Sequence, residues 1–102
     1  MKTSELSGAA LDWAVKKAIK KDGGYFLPSK DYKNISHSTD WAHGGPIIER
    51  EEINLERIID GWRATTDHLT KDLIAPTPLI AAMRCYVASK LGNEVEIPEE
   101  LK

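Results

Sequence analysis

The sequence predicts an α+β domain in which a small antiparallel β-sheet or hairpin packs between or against two main helices, an α-β-α sandwich-like order. Three observations carry that prediction. Apolar residues recur at helical spacing near both ends, at Leu6, Ala10, Trp13 and Ala14 and again at Leu79, Ile80, Met83, Val87 and Leu91. Between them, Asp60-Gly61 separates two short runs of β-formers, the signature of a hairpin. The chain has 102 residues, enough to close one hydrophobic core and not two, so residues 1–102 form a single domain.

In chain order, Thr3 or Ser4 caps a first helix, and Glu5 suits its positive end. Lys20, Lys21 and the glycines at 23 and 24 stop it. Tyr25-Phe26-Leu27, cut off by Pro28, reads as an edge strand or packed extended segment, followed by a polar loop through His37. Ser38 or Thr39 caps a turn through Trp41, Gly44-Gly45 breaks it, and Pro46 restarts a short helix carrying Ile47 to Arg50. A strand over Ile47 to Ile53 is the alternative, disfavoured by the charge of Glu49 to Glu52. Ile53-Asn54-Leu55 and Trp62 to Thr66 are the hairpin strands, with an uncertain register because Ile58 and Ile59 are adjacent. Asp67 to Pro76 reads as a loop. The final helix has Thr77 as cap, Pro78 at the first position and Gly92 at its end. Residues 93–102, acidic and broken by Pro98, read as an extended surface tail.

Composition narrows the function. The net charge of −2 argues against duplex nucleic acid as a partner, since phosphate neutralisation demands a strong positive balance. It leaves room for a small anion held by two or three arginines. The single cysteine, Cys85, fits a reducing compartment, and no apolar run approaches a membrane span. A cytoplasmic protein with no membrane partner is expected. A chain this short often gains stability by self-association, so a homo-oligomer is also expected.

Three blocks carry a family resemblance. Met1 to Val15 (MKTSELSGAALDWAV), Ser38 to Arg50 (STDWAHGGPIIER) and Thr77 to Gly92 (TPLIAAMRCYVASKLG) together resemble the NinX-like proteins of lambdoid phages. That family is similar to a group described as phage α-β-α sandwich domains. The resemblance implies a phage accessory gene and carries no chemistry with it. The sequence departs from the family pattern at Glu51-Glu52, where a glycine turn is usual, and matches it poorly over Leu55 to Pro76.

No catalytic constellation is visible. His37, His43 and His68 lack metal-ligand spacing and no CxxC exists, so no metal or cofactor is expected. Cys85 reads as a small core residue, and Glu49, Glu51 and Glu52 as a solvated face. Trp62 and Arg63 read as packing. The candidate ligand-binding residues are Asp40, Trp41, Gly44, Gly45, Arg50 and Arg84: an aromatic that can stack a base, a Gly-Gly step before a helix start that can expose N–H groups to an anion, and arginines that can pair with phosphate. Asp40 doubles as a helix cap. The expected function is non-catalytic: sequestration of a small anionic, nucleotide-like ligand such as a host defence signal. The alternative is a protein-binding inhibitor or modulator of a host enzyme, acting through an acidic surface.

Overall fold

A computed structural model gives the structure of the chain and describes residues 1–22, 36–67 and 72–101. The glycine stop at 23–24, the Tyr25 to Leu27 segment and His68 lie outside the described residues. The class is the expected one: among the described residues, three helices and a three-stranded antiparallel sheet share one core.

The first helix starts later than the cap residues indicate. Thr3 to Glu5 form a single 3-10 turn, and α1 runs over Gly8–Lys21. Thr3 is buried because it ties the two ends of the chain together. Its hydroxyl donates to the Gly92 carbonyl at 2.6 Å and its amide to the Asn93 carbonyl at 2.9 Å. The N-cap position of α1 falls instead to Ser7, whose side chain makes no cap hydrogen bond. α1 then buries Ala10, Leu11, Ala14, Val15, Ala18 and Ile19, a stripe at steps of three and four.

α2 (Trp41–Arg50) is one continuous helix, which corrects the interrupted reading. Asp40 caps it, accepting from the Ala42 amide at 2.9 Å. Pro46 forfeits one backbone bond, the one to the Ala42 carbonyl, but both residues are exposed and water can take that carbonyl. α2 ends in a left-handed cap. The Ile53 amide reaches the Ile48 carbonyl at 3.0 Å, the Glu52 amide reaches the Glu49 carbonyl at 3.3 Å, and Glu52 sits at φ 54°. A glycine is the ordinary occupant of that position, so glutamate there holds a backbone conformation costing about 1 kcal/mol.

The sheet consists of β1 (Asn54–Ile58), β2 (Gly61–Thr65) and β3 (Leu73–Ala75), in the order β1-β2-β3. Ile58 pairs with Gly61, so Ile59 and Asp60 form the two-residue turn. Gly61 opens β2 rather than filling the turn. Its φ is +154°, and a Cβ there would stand 2.5 Å from the Ala75 carbonyl oxygen. β3 corrects the reading of 67–76 as a loop. Ala64 pairs with Leu73 and Trp62 with Ala75, and both β3 partners are buried.

α3 (Pro78–Leu91) has the predicted boundaries: the Thr77 hydroxyl accepts from the Ile80 amide at 3.1 Å, Pro78 opens the helix, and Gly92 ends it at φ +89°. It is no amphipathic stripe, however. Leu79, Ala81, Ala82, Met83, Cys85, Tyr86, Val87 and Ala88 are all buried, because α1, α2 and the sheet all pack on α3. A helix apolar all round belongs in the middle of a domain, and the alanines permit close approach there. The sheet is therefore packed on helices as expected, with α3 as the central helix.

The C-terminal segment also differs from a surface tail. Lys2 and Glu94 form a β-bridge, the Val95 amide donates to the Met1 carbonyl at 2.9 Å, and Val95 and Ile97 are buried. Their alternation with exposed Glu94 and Glu96 is that of a half-buried strand.

Candidate functional site

The residue that stands out on the surface is Trp41, 52% exposed at the first position of α2. Large aromatics usually bury most of their area, and the other two tryptophans, Trp13 and Trp62, are packed against the core. Around Trp41 the outer face of α2 is made of Ala42, Gly45 and Pro46. These lie one, four and five residues on, hence on adjacent turns of one side. A Cβ on Gly45 would lie 3.9 Å from the Trp41 ring, which places the indole along the Gly45 turn. The result is a shallow apolar floor with an aromatic standing at one end.

Its rim is acidic. Asp40 is held below the usual carboxylate range by the Ala42 amide first and His43 next, and accepts from or pairs with the His43 Nδ1 at 3.0 Å. Glu49 and Glu52 are exposed at the far end.

Beneath the floor, the Ser36–Thr39 turn is pinned to α1. The Asp12 carboxylate accepts from the Ser38 amide at 2.9 Å and from the Ser36 hydroxyl at 2.8 Å. His37 is buried on the inner side, its ring 6.1 Å from that of His43. Burial first, and the charge of Lys16 next, push the His37 pKa down to about 4 from 6.5. The unfolded chain takes up that proton below about 6.5, and the folded chain only near 4. Stability is therefore full above the first value and declines as pH falls between the two. We expect roughly 2 kcal/mol less unfolding free energy at about pH 5 than at about pH 7, and a flatter profile for His37→Gln. Urea titrations at the two pH values check this; a wild-type stability unchanged between them contradicts it.

The six residues singled out from the sequence do not form one cluster. Asp40, Trp41, Gly44 and Gly45 share the first half of α2. Gly44, however, faces inward. Its N–H donates to the Asp40 carbonyl at 2.9 Å, and a Cβ there would stand 2.5 Å from both the His37 carbonyl oxygen and Leu79 Cδ1. Its lack of a side chain serves helix packing, and its N–H is not free for an anion. Arg50 lies nine residues from Trp41, roughly 13 Å along the axis and on the opposite side of the helix.

Arg50 belongs to a network where the C-terminal ends of the three helices meet. Its guanidinium is 3.0 Å from Glu51, 3.9 Å from Asp22 and 3.3 Å from the Tyr86 hydroxyl. Lys90 is 3.2 Å from Asp22 and 3.1 Å from Glu51. Two cations thus offset two carboxylates and three negative helix ends. Tyr86, buried beside Asp22, has its hydroxyl pushed up to about 12. Arg84 is likewise engaged within the fold, donating to the Leu6 carbonyl at 2.6 Å and the Ile74 carbonyl at 2.8 Å.

Cys85 is fully buried, and burial first pushes its thiol up to about 12, as a core residue requires. Among the described residues no group of three or more His, Cys, Asp or Glu could hold a metal ion. Among them, too, no helix is long and apolar enough to cross a membrane.

The model of a family described as "Bacteriophage P22, NinX" matches residues 2–90. The chain belongs to the NinX family. The match spans the 3-10 turn, all of α1, α2 and the sheet, and α3 to its penultimate residue. No curated protein matches the chain. Within the NinX-family match lies the whole outer face of α2, while the C-terminal segment that carries Val95 and Ile97 lies past its end.

Sequence reasoning missed Ala42, His43 and Pro46 as members of the site. The signal was present: once Trp41 to Arg50 is drawn as one helix, Trp41, Ala42, Gly45 and Pro46 fall on one side.

Proposed function

We propose that this NinX-family chain is a non-catalytic phage accessory protein that works in the cytoplasm of the infected cell by docking a host protein on the outer face of α2. The observation behind this reading is the half-exposed Trp41 beside the floor of Ala42, Gly45 and Pro46. Exposed aromatics that leave water on binding are the residues that dominate interfaces, at about 2 kcal/mol or more each. The acidic rim favours a partner whose pocket for the indole is flanked by lysine or arginine. Arg50 and Arg84 already donate to groups of the fold, which favours a protein partner over a small anion at this place.

Affinity capture from infected-cell lysate tests the reading with three baits: the wild type, Trp41→Ala, and Ile59→Asp at the 97% exposed hairpin tip. We expect one stoichiometric partner with the wild type and with Ile59→Asp, and its loss by roughly thirtyfold or more in affinity with Trp41→Ala. Equal capture by Trp41→Ala, or no partner with any bait, overturns the proposal.

A further inference from the structure

On a different side of the molecule, α1 and the C-terminal segment enclose an open groove of about 310 Å³, lined by Trp13, Lys17, Glu96, Ile97 and Pro98. That volume is at the small end of the range of ligand sites, roughly 300–1,000 Å³. Trp13 and Lys17 are four residues apart on α1, so they share a face, and the Lys17 ammonium rests 5.1 Å from the Trp13 ring centroid. Exposed Glu96 lines the groove from the C-terminal segment, between buried Val95 and Ile97, which fix the segment that carries it. The Lys17 ammonium and the Glu96 carboxylate form no ion pair with each other, although both line the same small groove. A cation from α1 and a carboxylate from the C-terminal segment, unpaired with each other beside Trp13, Ile97 and Pro98, suit a flat ligand that carries both an anionic group and N–H donors.

We infer that this groove binds a nucleoside monophosphate whose base carries an exocyclic amino group. The base lies in the groove against Trp13, Ile97 and Pro98, where it can stack on the indole. The Lys17 ammonium meets the phosphate, moving off the ring that now holds it. The Glu96 carboxylate accepts from the amino group, as carboxylates do from the amino group of cytosine. The groove lies partly beyond the family match, which ends at residue 90, since Glu96, Ile97 and Pro98 come after it. It shares no lining residue with the α2 face.

Nuclear magnetic resonance titration of the whole chain with AMP, CMP, UMP, adenosine and inorganic phosphate tests it. Saturable shifts are expected at the Trp13 indole N–H and the amides of Lys17, Glu96 and Ile97 with AMP and CMP. UMP, which lacks the amino group, and adenosine, which lacks the phosphate, are each expected to bind roughly fivefold to tenfold more weakly. Lys17→Met removes the advantage of AMP over adenosine, and Glu96→Gln removes the advantage of CMP over UMP. Both substitutions are at exposed positions, so they leave the core intact. Absence of saturable shifts up to millimolar AMP, shifts confined to other surfaces, equal response to phosphate alone, or affinities unchanged in both variants each overturn the inference. None of these outcomes bears on the capture experiment, which reads the α2 face.

Discussion

Gly44→Ala is expected to destabilise the chain by about 2 kcal/mol, whereas Gly45→Ala, one residue away on the same helix, is expected to stabilise it by about 0.5–1 kcal/mol. Both substitutions improve helix propensity by up to about 1 kcal/mol, because glycine loses the most backbone freedom on folding. What separates them is the space each new methyl meets. At Gly44 it lands 2.5 Å from the His37 carbonyl oxygen and 2.5 Å from Leu79 Cδ1. The first of these is backbone in a turn pinned to α1 by Asp12, so relief requires α2 to shift against that turn as well as against Leu79 of α3. At Gly45 the nearest atom is Trp41 Cε3 at 3.9 Å, ordinary contact. Denaturant unfolding of the two variants reads the difference. Equal effects at the two positions contradict the buried, packing role of Gly44.

Arg84 is expected to be the costliest polar side chain to remove. Its Nε and Nη1 donate to carbonyls of Leu6, near the N-terminus, and of Ile74, in the strand just before α3. Leu6 is fully buried and Ile74 belongs to the three-residue strand β3, so a single guanidinium fastens the N-terminal turn and the sheet edge to the central helix. Hydrogen bonds from a charged donor contribute about 1.5–3 kcal/mol each, and the Ile74 carbonyl is near solvent, so Arg84→Met is expected to lose about 3 kcal/mol in total. Arg84→Lys is expected to recover less than half of it, because one ammonium cannot reproduce a planar fork aimed at two acceptors. Unfolding midpoints measure both. A loss within about 0.5 kcal/mol, the usual range for surface substitutions, contradicts the clamp.

The same contrast explains what could be read in advance. α3 was legible because Thr77, Pro78 and Gly92 are local signals that act on their own helix. The hairpin was legible from Asp60-Gly61, off by one position, because Gly61 answers to β3 and not to the turn. β3 itself was not, since Leu73-Ile74-Ala75 is too short to show alternation and owes its form to pairing with β2. The continuity of α2 was hidden by Gly44-Gly45-Pro46, ordinarily helix-breaking, which here is tolerated because one glycine packs inward and the proline faces water.

Within the candidate site, Asp40 was legible as a helix cap, because capping acts on the adjacent turn. Arg50 and Arg84 were not, because their partners, Asp22, Tyr86, Leu6 and Ile74, are separated from them in sequence and met only through the fold. The buried Val95 and Ile97 left a trace in their spacing of two, outweighed by the acidic residues between and around them.

Under the proposed function, Trp41 is a contact residue rather than a packing residue. Hydroxyl-radical footprinting of the chain, alone and with its captured partner, addresses it most directly. The account predicts that Trp41, freely oxidised in the isolated chain, becomes protected in the complex while Ile59 at the hairpin tip stays as reactive as before. A Trp41 that remains equally reactive when the partner is bound would contradict it.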